Sequence, residues 1–154
     1  MGDVPAHAVT RHLTETVYYP DHAPRTESPE YKTVHHHLVY ELDEPCWICG
    51  VRNSTLHDPE QNPRGATQIE THHAVVEWAL ANAVDPSLIL ADFPEMGAAD
   101  DAHLRQWLDS EGQMLVLCDV CHRHGMAGIH MISYPAWVVQ KYLKSHDVTE
   151  APST

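Results

Sequence analysis

Positive charge is scarce in this chain. Its 154 residues carry nine Lys+Arg against 22 Asp+Glu, a formal net charge of −13 with histidine neutral. A surface that grips duplex nucleic acid neutralises many phosphates and shows a basic excess, so the balance argues against tight duplex binding by this chain alone. The 14 histidines offset the deficit only where they are protonated or metal-bound. Phe occurs once, beside 11 Pro, which points to many loops around one modest core. No apolar run reaches membrane-spanning length, and the opening MGDVPAHAVTRH has no hydrophobic signal region. The expectation is a soluble cytoplasmic protein without membrane association. Cysteine is limited to four residues, and in a reducing compartment paired C-x-x-C units serve as metal sites rather than disulfides.

Those four cysteines are what the rest of the chain is built around. Cys46 and Cys49 stand in PCWICG, and Cys118 and Cys121 in LVLCDVCHRHGMAGIH. Two thiolates at this spacing grip one ion through a tight turn, and a second pair closes the tetrahedron of a structural zinc. Gly50 supplies the turn freedom the first knuckle needs, and Trp47 is placed to shield the metal or to stack on a base, with shielding the expected role. His122 follows the last cysteine directly, with His124 and His130 soon after.

Residues 1–31 read as an irregular, Pro-interrupted arm in which Val17, Tyr18 and Tyr19 form a short strand. Lys32–Leu42 (KTVHHHLVYEL) reads as a strand with His35 and His37 on one face. Those two are either a second metal or phosphate contact, or ordinary strand histidines. Ala66–His73 (ATQIETHH) alternates as a strand, which sends His72 and His73 to opposite faces. One can then hold a metal while the other approaches a substrate beside it. Ala74–Val84 has helical period, with Val75, Trp78, Ala79 and Ala83 on one side, and Asp85-Pro86 breaks it. The 85–112 insertion holds a helix around residues 100–110 with Leu104, Trp107 and Leu108 as its apolar face. It shows no catalytic pattern and reads as a buttress or a specificity element. Pro135 opens a last helix through Trp137, with Lys141 and Lys144 towards its C-terminal half, and residues 147–154 are a tail.

The joint order is C-x-x-C, a strand ending in His-His, then C-x-x-C-H and a final His. From about Pro45 to His130 it resembles the HNH endonuclease family, the zinc-knuckle branch of the ββα-metal nucleases. The resemblance implies an α+β domain over 32–146: a ββα-metal core stapled by a four-cysteine zinc site, with a helical insertion and a C-terminal helix. It implies that Cys46, Cys49, Cys118 and Cys121 hold structural Zn2+, and that His73 is the general base. It further implies that His72, His122 and His130 hold a catalytic divalent metal, with Glu70 and His124 as further candidates. Gln113 stands where the family has an Asn, five residues before the third cysteine, and is expected to brace the loop carrying His73.

The function this implies is metal-dependent hydrolysis of DNA phosphodiesters, in a bacterial or phage-infected cell. Such chemistry needs a cation for the charge developing on the leaving 3′ oxygen, and a neutral imidazole off the metal to take the proton of water. An all-imidazole ligand set favours Zn2+, Ni2+ or Mn2+ over Mg2+, whereas a carboxylate from Glu70 shifts the preference towards Mg2+ or Mn2+. DNA is the expected partner. One rival is a non-catalytic module that keeps the scaffold and docks a basic protein through its acidic surface. Another is a ββα-metal enzyme acting on a small substrate.

Overall fold

Met114–Cys118 (MLVLC) contains no charged or amide side chain and forms strand β2, with four of its five residues buried and Leu115 half-buried. Its partner β1, Ile69–His73, alternates buried and half-buried residues. The two pair antiparallel, with Ile69 opposite Cys118 and His73 opposite Met114. That register sends Ile69, Thr71 and His73 inward and leaves Glu70 and His72 on the other face; a slip of one residue would exchange the two sets. The computed structural model describes residues 2–143.

A two-stranded ribbon is marginal alone, and here three attachments hold it. The first knuckle lies along β2, where the Trp47 N–H donates to the Val116 carbonyl at 2.8 Å. Helix α4 (Asp119–Arg123) starts directly from the strand. Its Asp119 carboxylate accepts from the Thr67 N–H (3.0 Å) and hydroxyl (2.7 Å), bolting the entry of β1 to that helix. Helix α5 (Tyr134–Val139), with Pro135 in its first turn, contributes Trp137, which is 1% exposed. The Trp137 indole N–H donates to the Cys121 carbonyl at 2.8 Å, and its ring stacks on Trp47. These residues join Val39, Val51 and Leu117 in the main core. Burial of such side chains stabilises by about 1.5–3 kcal/mol each.

The insertion between the strands forms a second, smaller core. Helix α2 (Pro86–Asp92) starts where Asp85 caps Ser87, so Asp85-Pro86 opens a helix as well as ending the preceding turn. Helix α3 (Asp101–Leu108) is capped by Asp100, whose carboxylate accepts the His103 N–H at 2.9 Å. Leu104, Trp107 and Leu108 are buried against Val76, Ala81 and Met96.

Three expectations need correction. Lys32–Leu42 is helical: helix α1 spans Pro29–His36 and runs into a wider π turn over His37–Glu41. The start signals outweigh the strand-like alternation. Ser28 accepts the Tyr31 N–H at 2.9 Å, Pro29 sits in the first turn and Glu30 favours the N-terminal end. His35 and His37 therefore have different neighbours. His35 meets the Thr71 hydroxyl at 3.1 Å and His37 meets Glu41 at 2.7 Å. Val17–Tyr19 forms no strand, and Tyr18 is 88% exposed. Finally, 74–84 is a bend followed by a 3-10 turn at Trp78–Ala83. Three residues per turn replaces the α period, so Val76 and Ala81 are buried while Val75 is exposed. Lys144, the 146 boundary and the 147–154 tail lie outside the described residues.

Candidate metal and catalytic centre

Both knuckles converge beside β2. The Sγ atoms of Cys46, Cys49, Cys118 and Cys121 all lie within 4.8 Å of one another, and all four thiols are free. Cys49 and Cys118 are 3.7 Å apart, close to the edge of a tetrahedron with corners about 2.3 Å from its centre. Gly50, at φ +82°, turns the first knuckle so that its N–H reaches the Cys46 carbonyl at 2.9 Å. In the second, the Cys121 N–H donates to Cys118 Sγ at 3.4 Å. Arg64 donates to Cys121 Sγ at 3.4 Å and to Gln140 Oε1 at 3.1 Å. S–H donation from Cys118, then Cys121 and Cys49, pulls the Cys46 thiol down. Interactions with Cys118, then Cys46 and Cys49, push Cys121 up. Four sulfurs this close cannot all ionise without a cation among them. The donor set fits a structural zinc.

A second cluster lies on the outward face of β1. His72 comes from that strand, His122 from α4 and His130 from the loop after it. Their ring centroids are 4.9–5.1 Å apart. One ring nitrogen from each lies within 4.8 Å of the others, and His122 Nε2 is 3.1 Å from His130 Nε2. Burial, reinforced by the neighbouring His122 and His130, holds His72 down to about 3. Burial also lowers His122 against the opposing pull of Glu70. The His72 and His122 rings are thus kept neutral, as imidazole ligands must be. The set of three nitrogens fits a divalent ion of the Zn2+, Ni2+ or Mn2+ type.

Two candidates stand outside that ligand set. Glu70 shares the face of His72, but its Oε2 accepts from His122 Nδ1 at 2.6 Å and its Oε1 pairs with Arg123. It fixes the His122 tautomer and turns Nε2 towards His130, the role of a carboxylate behind a metal-bound imidazole. His124 is spent locally, its Nδ1 accepting the Met126 N–H at 3.2 Å.

His130 returns to the cluster because the chain passes close over α4 at Gly128. A Cβ there would lie 2.8 Å from the backbone C and N of Arg123 and from the His122 carbonyl oxygen. The Ile129 N–H then donates to the Cys121 carbonyl at 3.1 Å.

His73 occupies the inward strand face, yet it lines the same cleft as His72, His122 and His130, together with Thr71 and Glu77. Its Nε2 lies 3.2 Å from Asp109 Oδ1, while Asp109 Oδ2 accepts from the Ser28 hydroxyl at 2.6 Å. Burial lowers His73 and Asp109 opposes this. Gln113 lies behind the end of β1: its carbonyl accepts the Ala74 N–H at 2.8 Å, and its own Oε1 is buried without a partner. The brace on the His73 loop thus comes from backbone rather than from the amide.

Asp109 and Gly128 carry roles that the sequence alone does not assign. Asp109 ends α3, 36 residues from His73, with no motif linking the two. Gly128 leaves one signal, as the glycine inside the Gly-Ile-His ending. No family model, curated protein or solved structure matches the chain. No helix among the described residues is long and apolar enough to cross a membrane.

Proposed function

We propose that the chain is a metal-dependent endonuclease of the HNH type, hydrolysing DNA phosphodiesters. The observation that carries this reading is the meeting of His72, His122 and His130 nitrogens within 4.8 Å of one another, with His73 free of that set but lining the same cleft. The local order β1, β2, α4, with the four-cysteine cluster at the junction, supports this reading.

His72, His122 and His130 would hold a divalent cation, which would supply positive charge against the negative charge developing on the phosphodiester. The protein's own groups do the rest. Asp109 is an acceptor, so the His73 Nε2 carries the proton and donates to it, which leaves Nδ1 with a lone pair to take the proton of an attacking water. Ser28 holds Asp109 from its other oxygen. Glu70 does for His122 what Asp109 does for His73, orienting the ring so that Nε2 faces the cluster. Because Glu70 is already engaged with His122 and Arg123, the ligand set stays all-nitrogen and the preferred ions are Ni2+, Zn2+ and Mn2+ over Mg2+.

Supercoiled plasmid incubated with the protein and each of Mg2+, Mn2+, Ni2+ and Zn2+, beside His73→Ala, tests the reading. Nicking or cutting by the wild type should fall about 10²–10⁴-fold in the variant. The net charge of −13 favours a second reading, a zinc-stapled module that docks a basic protein. No cleavage with any of the four metals, together with saturable binding of a basic protein, would select it.

A further inference from the structure

Arg25, on the irregular arm before α1, stands at the junction of two clefts. One holds His72 and His73; the other continues past Tyr31 and Tyr40, and Arg25, Thr71, His122 and His130 line both. Most other guanidinium groups are occupied. Arg52 donates to the Asp43 carbonyl, Arg64 to Cys121 and Gln140, and Arg105 to Asn82, while Arg123 pairs with Glu70. Among the described residues Arg25 pairs with no carboxylate. Its guanidinium carbon lies 5.9 Å from the Tyr31 ring centroid, so an aromatic face steadies it and leaves its five donors available.

Resting on the nuclease reading above, we infer that Arg25 is a phosphate-holding residue, and that the N-terminal arm thereby builds one wall of the substrate site. The ligand class is a phosphodiester within a single nucleic-acid strand. A planar guanidinium matches two phosphate oxygens at once. Among the described residues the cleft offers only one such unpaired cation, which is how a chain this acidic can hold one backbone phosphate without a broad basic surface. The footprint is correspondingly small. On a single strand each neutralised phosphate contributes about −0.7 to the slope of log K against log salt, so wild-type binding should show a slope on the order of −1, far shallower than an extended basic groove gives.

The test uses the full chain loaded with Ni2+ and a fluorescent single-stranded DNA oligonucleotide, with anisotropy read across a salt series, beside cleavage of the same oligonucleotide. Arg25→Ala should bind about tenfold or more weakly and lose about 0.7 from the slope. Arg25→Lys should recover part of the affinity but not the two-oxygen grip. Arg11→Ala, at the separate cleft beside α5, should match the wild type. Nickel titration of Arg25→Ala should be unchanged, which separates loss of the phosphate contact from collapse of the histidine cluster. Equal affinity and slope for Arg25→Ala and wild type, or no oligonucleotide binding by the wild type, would overturn the inference. Arg25-dependent binding without cleavage under any of Mg2+, Mn2+, Ni2+ and Zn2+ would sink the nuclease reading and leave the inference standing; cleavage indifferent to Arg25 would do the reverse.

Discussion

Adding one methyl group at Gly128 should separate the two candidate metal sites. The Cβ of Gly128→Ala meets three backbone atoms of His122 and Arg123 at 2.8 Å, about 0.6 Å inside the 3.4 Å at which ordinary contact begins. Backbone within α4 cannot swing aside as a side-chain tip does, so the loop must lift. His130 lies two residues further along that loop and moves with it. Metal–ligand distances tolerate only about 0.2 Å, so a displacement of this size breaks one of three bonds or strains all three. We expect nickel affinity at the histidine cluster to fall about 10–100-fold, the cost typical of disturbing a ligand's support. The cysteine site lies outside the displaced loop and should keep its zinc. Isothermal titration with Ni2+, alongside elemental analysis for zinc, reads the two sites separately. Gly125→Ala is the control, because a Cβ at Gly125 meets nothing within 4 Å. Wild-type nickel affinity in Gly128→Ala would refute the claim that this close passage positions His130. Loss of zinc in the same variant would show that the loop supports both sites.

Asp109→Asn replaces a pure acceptor with a group that can also donate, and should lower kcat by about 10²–10⁴-fold while nickel affinity stays put; unchanged turnover would remove Asp109 from the orientation of His73. Cys118→Ser should abolish the tightly held zinc, and with it a closure that contributes about 10–16 kcal/mol in small zinc modules, so the purified variant should lack a cooperative thermal transition. A zinc-free variant that still melted cooperatively would show that packing around Trp137 suffices. Ser28→Ala removes both the α1 cap and the hydroxyl on Asp109; it should cost about 1 kcal/mol in urea denaturation and also reduce turnover, and an effect on stability alone would place Ser28 outside the site.

What the sequence makes legible follows from what is local. C-x-x-C spacing, the strand alternation read over Ala66–His73 and the acidic start of α3 each depend on a few adjacent residues, and each has the expected form in the structure, except that the strand begins only at Ile69. The opposite facing of His72 and His73 follows from strand geometry alone. Lys32–Leu42 misleads because its periodicity, taken without the Ser28-Pro29-Glu30 start signal just before it, is strand-like. Three histidines in a row match a strand or a helix equally well, so the cap has to decide.

The less legible part is long-range. The 85–112 insertion carries no recognisable chemistry, yet its own small core, built on Leu104, Trp107 and Leu108, sets the end of α3 where Asp109 meets His73. Period-based reading finds the apolar face of that helix readily and says nothing about where its last turn lands. The position depends on how the insertion docks between β1 and β2, which is a matter of packing rather than pattern. The same holds for Arg25, whose surroundings in sequence are Pro, Thr and Glu in an irregular arm. A cation in such a segment looks like ordinary surface until the chain returns it to the cleft beside His72. The candidate metal-ligating residues are therefore written into motifs, whereas Asp109 and Arg25, which the proposals above set beside the base and the phosphate, are written into the connections between them.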